Sequence, residues 1–242
     1  MTNNYFGRGV AETYDSDEPV AFDPAVVEPA VDFLAVLAAG GRTLELGIGT
    51  GRIALPLSQR GVPIHGIELS PEMVEQLQAK QGSESIEVTI GDFSTTEVEG
   101  TFTLAYLVFN TITNLTSQRA QIRCFQNVAN HLERGGCFVI ETFIPELRVL
   151  PPGVKVRSLH VNTDQLDFDE YDVASQGLIS HHYRRVDGAL KGISIPFRYV
   201  WPSELDLMAE LAGLKLSERW EWWNKRPFTN DSGSHVSVWK KL

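Results

Sequence analysis

Between residues 43 and 143 the chain alternates short apolar runs with amphipathic ones, and no other feature limits its fold so tightly. TLEL (43–46), PIHGIEL (63–69), IEVTIGDF (86–93), FTLAYLVFN (102–110) and CFVIETF (137–143) have the length and composition of strands. RIALPLSQRG (52–61), PEMVEQLQAK (71–80) and SQRAQIRCFQNVANHLERGG (117–136) read as helices between them, and a helix between the third and fourth strands is left open. Ser70-Pro71 is a cap followed by proline at the first helical position. Ile122, Phe125, Val128, Ala129 and Leu132 form one helical stripe, and Gly135-Gly136 is expected to end that helix. The fourth strand is apolar on both faces, which suits a buried parallel strand. Such alternation predicts an α/β fold with an open, doubly wound, mostly parallel sheet.

The flanks have a different texture. Residues 1–42 form an N-terminal arm, polar at first and then helical, with Asp23-Pro24 as cap and first position and Pro29 expected to kink or restart the helix. Residues 145–200 contain VKVRSLHV, QLDFDEYDV, GLISHHYRRV and LKGISIPFRYVW, which read as an inserted antiparallel meander. Residues 201–242 return to a helix, WPSELDLMAELAGL, and two last strands. The expected core is therefore 43–144 plus 201–242.

Composition removes several classes of function. A net charge of −10 repels phosphate backbones, so a nucleic-acid binder is not expected. No apolar run is long enough to span a membrane, and the first residues lack a secretory pattern. Cys124 and Cys137 have no metal-ligand spacing. Buried thiols fit a reducing cytoplasm, and the histidines outline no metal site.

The sharpest local motif is ELGIGTG (45–51). Gly47, Gly49 and Gly51 lie between a strand and a helix, where doubly wound folds bind nucleotides. Glycine there permits positive φ and lets a ligand reach the main chain. A dinucleotide fingerprint would run GxGxxG, with no carboxylate beside the pyrophosphate. Here Glu45 precedes the glycines, which suits a ligand carrying positive charge. Glu68 ends the second strand, where a carboxylate can accept both hydroxyls of a ribose. Asp92 and Phe93 end the third; Asp92 can accept an adenine amino proton or simply form an Asx turn.

ELGIGTG, IELS, GDF and HLERGGCFVIE, in this order, resemble the class I S-adenosylmethionine-dependent methyltransferases across residues 43–143. The resemblance implies a Rossmann-like, mostly parallel seven-stranded sheet carrying an inserted antiparallel β subdomain. It implies S-adenosylmethionine as cofactor, with Gly47, Gly49 and Gly51 at its methionine moiety, Glu68 on the ribose and Asp92 and Phe93 at the adenine. Glu45 would help organise the loop and the cofactor ammonium, and Tyr14 resembles an arm tyrosine that closes over the methionine end. The acceptor site would lie past the fourth strand, where Asn110 and Thr111 either line it or end the strand with turn hydrogen bonds. That strand lacks the Asn/Asp-Pro-Pro-aromatic tetrad of enzymes acting on nucleobases and protein glutamine.

The resemblance therefore implies methyl transfer to N or O of a small molecule, such as one of secondary metabolism, with the insertion roofing the pocket or joining a homodimer. In SHHYRR (180–185), His181 and Tyr183 share one strand face and His182 the other with Ser180 and Arg184. His181, His182 and Glu141 are candidate general bases and Tyr183 a candidate acceptor contact, against the alternative of a merely solvated strand. Two other functions compete: a non-catalytic S-adenosylmethionine-binding protein, and a nicotinamide-dependent oxidoreductase.

Overall fold

The protein is described from a computed structural model covering residues 5–186 and 188–242. The arm contributes two single turns, α1 (Arg8–Ala11) and α2 (Tyr14–Asp17), before α3 (Pro24–Ala38). Asp23 caps α3 by accepting the Ala25 N–H, and the helix runs unbroken through Pro29. The expected restart does not occur; Pro29 removes only its own N–H from the ladder and the helix continues past it.

The central sheet is built from β1 (Thr43–Leu46), β2 (Ile64–Glu68), β3 (Glu87–Ile90), β4 (Phe102–Leu107), β5 (Leu132–Phe143), β10 (Leu214–Trp220) and β11 (Ser234–Lys241). Their order is β10-β11-β5-β4-β1-β2-β3. The five strands β1 to β5 are parallel, and β11 runs antiparallel between β5 and β10. The strand order reverses between β1 and β4, which leaves a crevice at their carboxyl ends.

Two hydrophobic layers cover the sheet. One holds Phe125, Phe138, Leu205 and Trp239, under α6 (Gln118–His131) and α7 (Pro202–Leu211). The other holds Leu34, Ile53, Leu57 and Tyr106, under α3 and α4 (Ala54–Gln59). α5 (Pro71–Gln78) follows β2, capped by Ser70, whose hydroxyl accepts the Met73 N–H.

Two expectations are corrected. α6 ends at His131, before Gly135-Gly136, and β5 starts at Leu132. The His131 ring is tied at both nitrogens, Nε2 accepting the Val98 N–H at 3.0 Å and Nδ1 bonding the Asn127 carbonyl at 2.8 Å. The glycines serve the strand: a Cβ on Gly136 would lie 3.0 Å from the Glu133 carbonyl oxygen and 3.1 Å from that of Phe102. No helix joins β3 to β4; instead the Thr95 and Thr96 N–H groups bond the Asp92 carbonyl in one turn.

A second sheet, β6 (Val156–Val161), β7 (Gln165–Asp172), β8 (Gly177–Val186) and β9 (Ala189–Arg198), is an antiparallel meander in sequence order. Buried Arg198 ties it down, donating to Gln121 at 2.5 Å on α6, to Glu204 at 2.7 Å on α7 and to Gln176 at 2.9 Å. The meander forms a roof above the crevice.

Candidate active site

The crevice begins at the glycine loop. Gly47, Gly49 and Gly51 all have positive φ, +69°, +55° and +83°, a region that side chains rarely enter. Gly47 and Gly49 line a cavity of about 560 Å³. Gly51 does not: a Cβ there would lie 2.3 Å from Leu77 Cδ1, so this glycine admits α5 rather than a ligand.

Glu68 organises the loop. Its carboxylate accepts the Gly49 N–H and the Ser70 N–H, each at 2.9 Å, and lines the cavity. Burial raises its pKa against these bonds. Glu68, Phe6, Leu69, Phe93 and Asn114 also line an adjoining cavity of about 450 Å³, whose far wall carries Asp92 and Arg123. Asp92 makes the Asx turn, accepting the Ser94 N–H at 2.8 Å, while facing this cavity.

Glu45 is elsewhere. It lines neither cavity; its carboxylate accepts the Tyr106 hydroxyl at 2.7 Å beneath the loop. Burial pushes its pKa up to about 8. An ammonium group in the cavities therefore has no direct contact with it.

The arm closes one side. Tyr14 lines the larger cavity, edge-on to Phe6 at 6.2 Å and Phe22 at 6.4 Å, and burial pushes its hydroxyl up to about 12. The arm is latched to the loop and its neighbours. Thr50 donates to Asp15 at 2.7 Å, Lys80 pairs with Asp15 at 2.5 Å, and Ser70 donates to the Phe6 carbonyl at 2.6 Å.

Beyond β4 the backbone is strained. Phe109 and Asn110 are consecutive non-glycine residues at φ 55° and 60°, a geometry costing about 1–3 kcal/mol per residue that persists only where its surroundings impose it. Glu141 imposes it, accepting the Phe109 N–H at 2.7 Å, and Asn110 accepts the Phe143 N–H at 2.8 Å. Glu141 is thus a brace. It faces a separate cavity of about 290 Å³ shared with Arg52, Trp222 and Trp223, and does not line the larger one. Phe109, Asn110 and Thr111 do line the larger cavity.

The roof supplies the opposite wall. The pleat sends Ser180 and His182 inward to line it and turns His181 and Tyr183 outward. His181 stacks on Phe168 at 4.5 Å, with the Tyr183 ring 6.2 Å from Phe168, and neither lines the cavity. Asp169, cross-strand from Ser180, lines the cavity although only 8% exposed. Burial raises its pKa, while a hydrogen bond from Ser180 and nearby His182 lower it. Arg157, also in the wall, is paired with Glu146 at 2.5 Å.

Sequence reasoning missed Asp169, Glu18, Phe109 and Arg157. Spacing in QLDFDEYD puts Asp167, Asp169 and Tyr171 on one face, a signal that existed, but nothing in it said which face looks inward. Among the described residues no cluster of three or more His, Cys, Asp or Glu could hold a metal ion. No helix of the described residues is long and apolar enough to cross a membrane.

Comparison with known proteins agrees with this geometry. Residues 43–136 match a methyltransferase domain family. The chain is similar to the CcbJ methyltransferase of Streptomyces caelestis at 33% identity, with 96% of each chain covered and a TM-score of 0.86. Two more distant structures share the fold. CalS10, an amino pentose methyltransferase of Micromonospora echinaspora involved in calicheamicin biosynthesis, is 18% identical, with 98% of this chain and 99% of that one covered and a TM-score of 0.70. The sugar N-methyltransferase KedS8 of a Streptoalloteichus species is 16% identical, with 96% and 92% covered and a TM-score of 0.67. No curated protein sequence gives a significant match.

Proposed function

Because this chain belongs to the S-adenosylmethionine-dependent methyltransferases, we propose that it methylates an amine nitrogen of a small-molecule acceptor held beneath the roof. The observation that carries this reading is Asp169, a buried carboxylate on the roof that faces the glycine loop's cavity. Glu18 lines the same cavity, whereas the guanidinium of Arg157 is already paired with Glu146. Such a wall favours a cationic or amine-bearing guest over an acidic one. The acceptors named for CalS10 and KedS8, an amino pentose and a sugar nitrogen, support a hydroxylated amine as the class.

The residues fit the cofactor. Gly47 and Gly49 line the larger cavity with bare backbone at positive φ, Glu68 offers a carboxylate at the end of β2, and Asp92 and Phe93 face the adjoining cavity. The nucleoside is assigned to that cavity and the methionine end to the larger one. The bound cofactor supplies a methyl group on a sulfonium, whose departing thioether needs no acid.

The protein's work is then positioning. Tyr14 and the strained Phe109–Asn110 turn fix the walls around the methyl. Phe143, Ile195 and Phe197 exclude water. Orientation of this kind can supply roughly 7–11 kcal/mol of the barrier. Asp169 accepts hydrogen bonds from the amine and takes up its surplus proton.

Calorimetric titration with S-adenosylhomocysteine should give one-to-one binding. Turnover of S-adenosylmethionine is then compared over amino sugars and their deaminated alcohols. Methylation of the amines and not of the alcohols is expected; the reverse preference would replace nitrogen by oxygen in this reading.

A further inference from the structure

Methylation of an amine leaves a proton that must go somewhere, and the roof contains a chain of groups running away from the acceptor. Resting on the amine reading above, we propose that Asp169, Ser180, His182 and Asp167 form a relay that carries this proton from the acceptor along the inner face of the roof to solvent. Asp169 lies directly across from Ser180 in the register of β7 and β8. Ser180 Oγ lies 3.0 Å from His182 Nε2, and His182 Nδ1 lies 3.5 Å from Asp167 Oδ1. The first three residues line the cavity and Asp167 does not, so the chain starts inside and leads out.

The register explains why these four meet. Asp169 pairs with Ser180 and Asp167 with His182 across β7 and β8, and residues two apart share a face. Asp167 is buried yet fixed as an anion: burial opposes its charge, but hydrogen bonds from Arg184 and Gln165 hold its carboxyl below the usual range. An anion against Nδ1 selects the tautomer that keeps its proton there and leaves Nε2 free to accept.

The step balances. The amine nitrogen bonds to the methyl carbon as the carbon–sulfur pair returns to sulfur. The resulting ammonium passes a proton to Asp169. The carboxylic acid gives that proton to Ser180 Oγ, which releases its own to His182 Nε2. The imidazolium faces Asp167 and loses its Nδ1 proton to solvent near Asp167 and exposed His160, which lie 3.7 Å apart. Exchange with solvent restores the first tautomer.

The charges around His182 come from every side of its pocket. β7 brings Asp167 and Asp169, and β8 brings Arg184. β6 brings Arg157 and His160, and the arm brings Glu18. Ile193, its partner on β9, brings none. His182 and Asp167 act through Asp169 and are positioning residues.

The test compares wild type with His182→Gln and Asp167→Asn over roughly pH 6–10, using an amino-sugar acceptor. A general acid–base group is worth about 10²–10⁴-fold, and a relay behind one is expected to cost about tenfold in kcat near neutral pH. Loss of the relay should move the acid limb of kcat to higher pH, with partial recovery in imidazole buffer. S-adenosylhomocysteine affinity and acceptor KM should stay within about twofold. A wild-type pH profile in His182→Gln, or a loss equal at every pH, overturns the relay alone. A wild type that binds S-adenosylhomocysteine yet methylates no amine overturns the amine reading and the relay with it. NMR of the His182 ring nitrogens gives an acceptor-free readout: Asp169→Asn should change the Nε2 resonance, and an unchanged spectrum overturns the chain of contact.

Discussion

The two sheets meet the same cavity by different means. The parallel sheet reaches it with strand ends and backbone: Gly47 and Gly49 after β1, Glu68 after β2 and the left-handed Phe109–Asn110 pair after β4, with Asp92 after β3 in the adjoining cavity. The roof reaches it with side chains in the middle of strands, selected by the pleat. In the proposed function the cofactor meets the first kind of geometry, where backbone conformation leaves little room for substitution. The acceptor meets the second kind, where a change of side chain leaves the backbone intact.

The largest effect should come from breaking the parallel sheet's end. Glu68→Ala removes the acceptor of the Gly49 and Ser70 N–H groups together with the carboxylate assigned to the ribose. Hydrogen bonds to charged groups are worth about 1.5–3 kcal/mol, so S-adenosylhomocysteine should bind about a hundredfold more weakly by calorimetry. Equal affinity in a folded variant would detach Glu68 from the cofactor. It would leave the loop as a structural turn.

A smaller effect separates the sheets by the sign of their response to pH. Glu45, under the loop, has its pKa raised by burial from an ordinary 4.5 to about 8. The folded state therefore holds a proton that the unfolded state has lost. That contribution is complete below about pH 4.5 and disappears as pH rises toward 8. Asp167 in the roof is shifted the other way, so its contribution is lost in acid. Melting temperatures across this range should fall more steeply in wild type than in Glu45→Gln, a neutral isostere that can still accept from Tyr106. Parallel curves would mean that Glu45 is already ionised in the fold.

These differences also decide what the sequence discloses. The glycines, Glu68 and Asp92 are tied to strand ends by fixed spacing, so the loop and its ligand class could be read along the chain. Gly51 and Glu45 belong to the same motif, but their packing against Leu77 and Tyr106 depends on α5 and β4, which the motif does not contain. The meander's strands were visible from composition. Their inward face was not, because SHHYRR is polar on both sides and only packing over the crevice breaks the tie. The end of α6 was misplaced for a similar reason. Gly135-Gly136 looks like a helix stop, yet the stop comes from the two bonds of the His131 ring.

The finest test of the comparison uses adjacent residues. His181 and His182 differ by one position, and only His182 lines the cavity. His181→Asn removes a ring stacked 4.5 Å from Phe168 and a 2.8 Å bond to Ser194. Stacking is worth about 0.5–1.5 kcal/mol and a neutral hydrogen bond about as much, so denaturant unfolding should show a loss of about 1 kcal/mol. The kinetics should not move: kcat, its pH profile and acceptor KM should match wild type, because Phe168, Tyr183 and His181 form a stack on the far side of the sheet. A changed pH profile in His181→Asn would mean that β8 presents its other face to the acceptor. The inward set would then be His181 and Tyr183, and the relay through His182 would lose its starting point.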